Sequence, residues 1–134
     1  MGDSSTIVVE RDGKFLSSYL ATGPTHETGP VLRQHYATLD LAHSLIDLGD
    51  LFCLGENPAV GQWPEFCNTL TYWNPPRTHD SMESVWVEAN ANWSDKVYWF
   101  RDGKWRWVSL LGRREDPYES FQFKTVRKPR KPKL

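Results

Sequence analysis

Val97-Tyr-Trp-Phe-Arg-Asp-Gly-Lys-Trp-Arg-Trp-Val-Ser-Leu-Leu111 decides the fold of this chain. Two runs of aromatic and β-branched residues flank Asp102-Gly103, and that dipeptide supplies the positive φ angles of a two-residue type I′ turn. Placing Arg101 opposite Lys104 puts Phe100 across from Trp105 and Tyr98 across from Trp107 on one face. The other face then pairs Val97 with Val108 and Trp99 with Arg106. The first face is a core wall of four aromatics. The mixed second face is either another packed surface or an exposed recognition patch.

Working outward, Ile7 to Leu20 repeats the same turn chemistry, with Arg11-Asp12-Gly13-Lys14 echoing Arg101-Asp102-Gly103-Lys104. A second hairpin is expected there, pairing Glu10 with Phe15 and Val9 with Leu16. Pro30 opens a short helix to Tyr36. A stronger one follows over 38–49, with Thr38 as N-cap, Asp40 in the first turn, and an apolar stripe of Leu41, Ala42, Leu45, Ile46 and Leu48 before Gly49. Residues 67–73 and 84–88 alternate like strands, so 67–111 reads as a four-stranded antiparallel meander, with 121–126 as a further edge strand. The expected fold is α+β: an antiparallel sheet of about five to six strands, with hairpins at 7–18 and 96–110, packed by helices 30–36 and 38–49. Residues 1–126 form one domain, and 127–134 are a disordered basic tail.

The 134 residues suffice for one domain with its own core. A mean hydropathy of -0.60 and the lack of a long apolar run exclude a membrane helix. The opening MGDSSTIVVE has no signal-peptide pattern, which gives a cytoplasmic expectation. Cys53 and Cys67 have no C-x-x-C spacing and the four histidines no H-x-x-x-H spacing, so neither a metal nor a cofactor is expected. His79-Asp80 would make a base for either cysteine only if the fold brought them together. No catalytic signature stands out, and the chain is read as a non-enzyme.

Charge is distributed unevenly. Of 16 basic residues, Arg127, Lys128, Arg130, Lys131 and Lys133 fall in the last eight positions, which leaves 11 basic against 17 acidic residues in 1–126. The body therefore carries -6 and the tail +5, and two kinds of binding surface follow. Asp47, Asp50 and Glu56 form an acidic patch suited to a basic partner. Among the seven tryptophans, Trp63 and Trp93 in loops, and Trp99 with Arg106 on the mixed face, are candidate anchors, being residue types enriched at interface hot spots. Alternatively, the tail contacts phosphates while sheet aromatics stack bases, giving a nucleic-acid or nucleotide binding module.

The middle segment also carries a resemblance. Gly29-Pro30-Val31-Leu32 with Tyr36, then Ala42-His43-Ser44-Leu45-Ile46-Asp47-Leu48-Gly49-Asp50-Leu51 and Leu54-Gly55, followed by Tyr98, Phe100, Asp102, Gly103, Lys104 and Trp105, resemble small phage and prophage accessory proteins. Those proteins carry an LIxLGDLxxLG helix segment and a Y-x-F-x-D-G-K-W hairpin. This chain has Thr25-His26-Glu27 where they have D-G-Y. The resemblance implies a phage-encoded inhibitor of a bacterial defence system, of anti-CRISPR or anti-restriction type, that occludes a host protein or ribonucleoprotein complex.

Overall fold

Two Asp-Gly turns organise the sheet, as the sequence predicts. In the computed structural model, which describes residues 4–22, 28–55, 57–60, 68–71 and 74–127, Asp12 and Gly13 have φ of 53° and 77°, and Asp102 and Gly103 have 54° and 76°. Both central residues being left-handed is what a type I′ turn demands. The first turn joins β1 (Ser5–Arg11) to β2 (Lys14–Thr22), and the second joins β7 (Lys96–Arg101) to β8 (Lys104–Ser109). Registers agree with the alternation argument: Glu10 faces Phe15, Phe100 faces Trp105, Tyr98 faces Trp107 and Trp99 faces Arg106.

Between the hairpins lie α1 (Thr28–His35), α2 (Leu39–Asp47), β3 (Leu51–Cys53), β4 (Asn57–Val60), β5 (Asn68–Thr71), β6 (Arg77–His79) and α3 (Met82–Ala91); a 3-10 turn at Tyr118–Ser120 precedes the edge strand β9 (Lys124–Thr125). The strand order is β4-β5-β3-β2-β1-β7-β8-β9, with β6 also paired to β2. The fold is α+β and the pairing mostly antiparallel, but β1 and β7 run parallel, as do β2 and β3.

That parallel join overturns the expected meander over 67–111. Residues 84–88, expected as a strand, belong to α3. Ser81 caps it, its hydroxyl accepting from the Ser84 N–H at 3.2 Å, with Glu83 in the first turn. Met82, Val85, Trp86 and Ala89 are all buried, a spacing of three and four that a helix satisfies and a strand does not. Ser-Val-Trp-Val has strand propensity, yet burial along the helical stripe prevails over it. The helix then acts as the crossover that a parallel β1–β7 pair requires.

With α3 in place, both sheet faces are covered. Ile7, Val9, Tyr98, Phe100 and Trp105 pack with α1 and α2 residues such as Leu32, Leu45 and Ile46. Val8, Val97, Trp99 and Val108 pack with Trp86, Val85 and Phe121 on the opposite side. Ile7-Val8-Val9 alternates between the two cores, so the strand reads as an uninterrupted apolar run. The α2 cap agrees with expectation, Thr38 Oγ1 accepting from the Leu41 N–H at 3.2 Å. The edge strand shrinks to two residues because Phe121 and Phe123 turn into the second core, where both stack edge-on against Trp86.

Candidate functional site

Among the described residues, the aromatic wall is left partly uncovered beside helix α1. Across three neighbouring strands Tyr98, Trp107 and Lys124 stand in one row. Helix α1 closes over Tyr98, an approach made possible by Gly29: a Cβ there would lie 3.4 Å from the Tyr98 ring and 3.2 Å from a Val126 methyl. Tyr98 is consequently buried, while Trp107 beside it stays half-buried. The result is an open cleft of about 310 Å³, floored by Trp107 and Tyr98 and rimmed by Gly29-Pro30, Lys96, Lys124 and Arg127.

The rim is cationic. Lys96 Nζ lies 5.6 Å and Lys124 Nζ 6.0 Å from the centre of the Trp107 ring. Among the described residues, neither lysine nor Arg127 has a carboxylate within ion-pair distance. A second cavity of about 210 Å³ shares Thr125 and Val126 with the first and is bordered by Arg33 and Lys104. Basic side chains therefore line both sides of the β9 segment, on a body whose net charge is negative. An aromatic plate bordered by free cations is suited to a ligand with a flat ring and a phosphate.

Arg127, from the predicted basic tail, is exposed at the mouth of this cleft. Lys128, Arg130, Lys131 and Lys133 lie outside the described residues, as do Glu56 and Trp63. The other predicted site residues do not converge. Asp47 is exposed and paired to Arg11 at 2.9 Å. Asp50 is pinned internally by Arg77, at 3.1 and 2.7 Å, and by the Tyr19 N–H at 2.8 Å. Burial pushes its carboxyl up, but the Arg77 and Tyr19 hydrogen bonds with the Arg77 charge outweigh this and hold it below the usual carboxylate range.

Trp99 corrects an expectation. It is 5% exposed, lies edge-on to Phe15 and Phe123, and cannot serve as a surface anchor. The mixed face of the hairpin is thus a second packed surface. Arg106, opposite Trp99, is part-buried with its Nε unpartnered. Trp93 fits its expected placement: it is 69% exposed, with the Arg114 guanidinium 5.2 Å from its ring.

Sequence reasoning assigned Trp107 to the core wall and overlooked Lys96 and Lys124. Alternation carried the signal. Lys96 is two residues before Tyr98 on the same face, and if Phe121 and Phe123 point to one side of an edge strand, Lys124 must point to the other. No helix of the described residues is long and apolar enough to cross a membrane, and they hold no cluster of three or more His, Cys, Asp or Glu fit for a metal ion. No protein-family model, curated protein or solved structure matches the chain.

Proposed function

We propose that this chain binds single-stranded nucleic acid, with one base stacked on Trp107 and the flanking phosphates held by Lys96, Lys124 and Arg127. The observation that carries the reading is the half-open Trp107 ring bordered by two lysines that have no carboxylate partner among the described residues. The tail sequence continues from the cleft mouth with four further cations, which extend the phosphate contacts and make binding salt-dependent. Base stacking on one aromatic contributes about 1–3 kcal/mol. The test is fluorescence anisotropy with a labelled oligothymidine: Trp107→Ala weakens binding by roughly 5- to 150-fold. Equal affinity of the variant and the original chain, both folded, rejects the reading.

A second reading, occlusion of a host defence protein by a phage accessory protein, is favoured by Trp93. A tryptophan this exposed resembles an interface anchor more than a structural residue. A nuclease-treated pull-down from bacterial lysate tests it: a stoichiometric partner should be retained by the original chain and lost with Trp93→Ala.

A further inference from the structure

On the opposite side of the sheet from the cleft, β6 delivers His79 to the first turn of α3, and the three groups that meet there have an order that chemistry recognises. His79 Nε2 lies 2.5 Å from Glu88 Oε2. His79 Nδ1 lies 2.7 Å from the hydroxyl of Ser84. Ser84 is exposed, whereas the His79 and Glu88 side chains are only 10% and 15% exposed.

The protonation pattern follows from Glu88. Its carboxylate is an acceptor only and lies nearer to Nε2 than the Ser17 hydroxyl, which is 3.0 Å away, so the ring proton of neutral His79 sits on Nε2 and Nδ1 is left with a lone pair. The Ser17 hydroxyl, fully buried, adds to the same arrangement by donating to Glu88 at 3.2 and 3.3 Å. The only proton Ser84 can offer to Nδ1 is its own hydroxyl proton. That is the resting state of a serine nucleophile with its base already in contact and the base held by a carboxylate.

Charge supports the same step. Arg77 is paired to both Asp50 and Glu88, so these three groups together carry one negative charge. An imidazolium at His79 brings the cluster to neutrality. The imidazolium formed during the reaction therefore faces a cluster of net negative charge.

We propose that Ser84, His79 and Glu88 form a nucleophile–base–carboxylate relay that hydrolyses carboxylic esters. Ser84 Oγ bonds to the ester carbonyl carbon while its proton passes to His79 Nδ1. The carbon–oxygen bond to the alcohol then breaks, and the alcohol leaves with that proton. Water adds to the acyl carbon, giving a proton to Nδ1 that returns to Ser84 Oγ as the carboxylic acid departs. Glu83 is the chain neighbour of Ser84, while the charge of Asp80 is offset by its pairing with Lys14, so the substrate class is uncharged or cationic esters. Ser84 and His79 touch the reacting atoms; Glu88 is a positioning residue.

The experiment is labelling of the full chain with an uncharged fluorophosphonate, in which Ser84 Oγ bonds to phosphorus and fluoride leaves, followed by peptide mapping and p-nitrophenyl acetate turnover. The expected result is a single adduct on Ser84 and turnover that falls about 100-fold or more in Ser84→Ala. That variant keeps the Ser81 cap, which uses the Ser84 backbone N–H, so its folding is not in question. In Glu88→Gln the amide can donate to Nε2, which moves the ring proton to Nδ1 and blocks the base; labelling slows at least 100-fold. No adduct on Ser84, turnover unchanged in Ser84→Ala, or a folded Glu88→Gln that labels at the original rate overturns the proposal.

Discussion

Arg77 grips Asp50 with two roughly parallel hydrogen bonds, Nη2 to Oδ1 at 2.7 Å and Nη1 to Oδ2 at 3.1 Å, while its Nε reaches Glu88. One guanidinium thereby ties the α2–β3 connection, β6 and α3 together. Replacing Arg77 by Met leaves two carboxylates facing each other with little water. Because Arg77 is 37% exposed, solvent screening reduces the 3–5 kcal/mol of a fully buried pair, and we expect a loss of about 2 kcal/mol in urea unfolding.

The same pair sets an acid limb. The folded-state carboxyl of Asp50 is depressed relative to the unfolded chain, so the unfolded state binds the proton first as pH falls. Its stabilisation is fully present above about pH 5, declines below about pH 4, and disappears once the pH falls through the folded value. Asp50→Asn should flatten the urea-midpoint curve over that range. An acid limb of unchanged steepness would show that other carboxylates dominate.

Affinity and salt dependence separate the two halves of the Trp107 cleft. Each phosphate contact on a single strand contributes about 0.7 to the slope of log K against log salt. Lys96→Gln and Lys124→Gln should each lower the slope by about that amount, whereas Trp107→Ala weakens binding at every salt concentration with the slope unchanged. Anisotropy titrations across a salt series give both quantities.

Local chemistry explains which parts of this structure were legible in the sequence. Asp12-Gly13 and Asp102-Gly103 dictate turn type, and turn type dictates register, so every cross-strand pair of the two hairpins follows. Thr38 and Asp40 mark α2 for a similar reason. Val85-Trp86-Val87 misleads because the strand-like residues are local while the deciding term, burial of Val85, Trp86 and Ala89 against β7 and the C-terminal segment, is tertiary. The cleft was legible only in halves: its cations belong to strands far apart in the chain, and Trp107 joins them because it stays half-buried between Tyr98 and Lys124. Ser84 and His79 are five residues apart, but their meeting with Glu88 required α3 to be a helix.

Gly49 should tolerate no side chain. Its φ is 76°, and a Cβ there would fall 1.6 Å from the backbone oxygen of Asn74, the oxygen that accepts the Asp50 N–H at 3.0 Å. Backbone cannot move aside as a side-chain tip can, and a left-handed alanine adds roughly 1–2 kcal/mol of its own. Gly49→Ala should cost more than about 3 kcal/mol and loosen the segment that presents Arg77. A small change in the unfolding midpoint would mean that the 74–76 backbone is free to retreat.

Trp93 is held in a conformation that its residue type disfavours. Its φ is 57°, yet the backbone is fixed on both sides, the N–H donating to the Asn90 carbonyl at 3.1 Å and its own carbonyl accepting from the Ser4 hydroxyl at 3.0 Å. The side chain gains little in return, since 69% of the residue is exposed and it packs with the Arg114 guanidinium 5.2 Å from its ring centre. Glycine adopts this φ without strain, so Trp93→Gly should be about 1 kcal/mol more stable than Trp93→Ala, the comparison that removes the ring from both. If the strained position is kept for a contact made by the indole, both variants should also lose any protein partner captured by the original chain. Full partner retention by a folded Trp93→Gly would leave the strain without that explanation and remove the occlusion reading's main support.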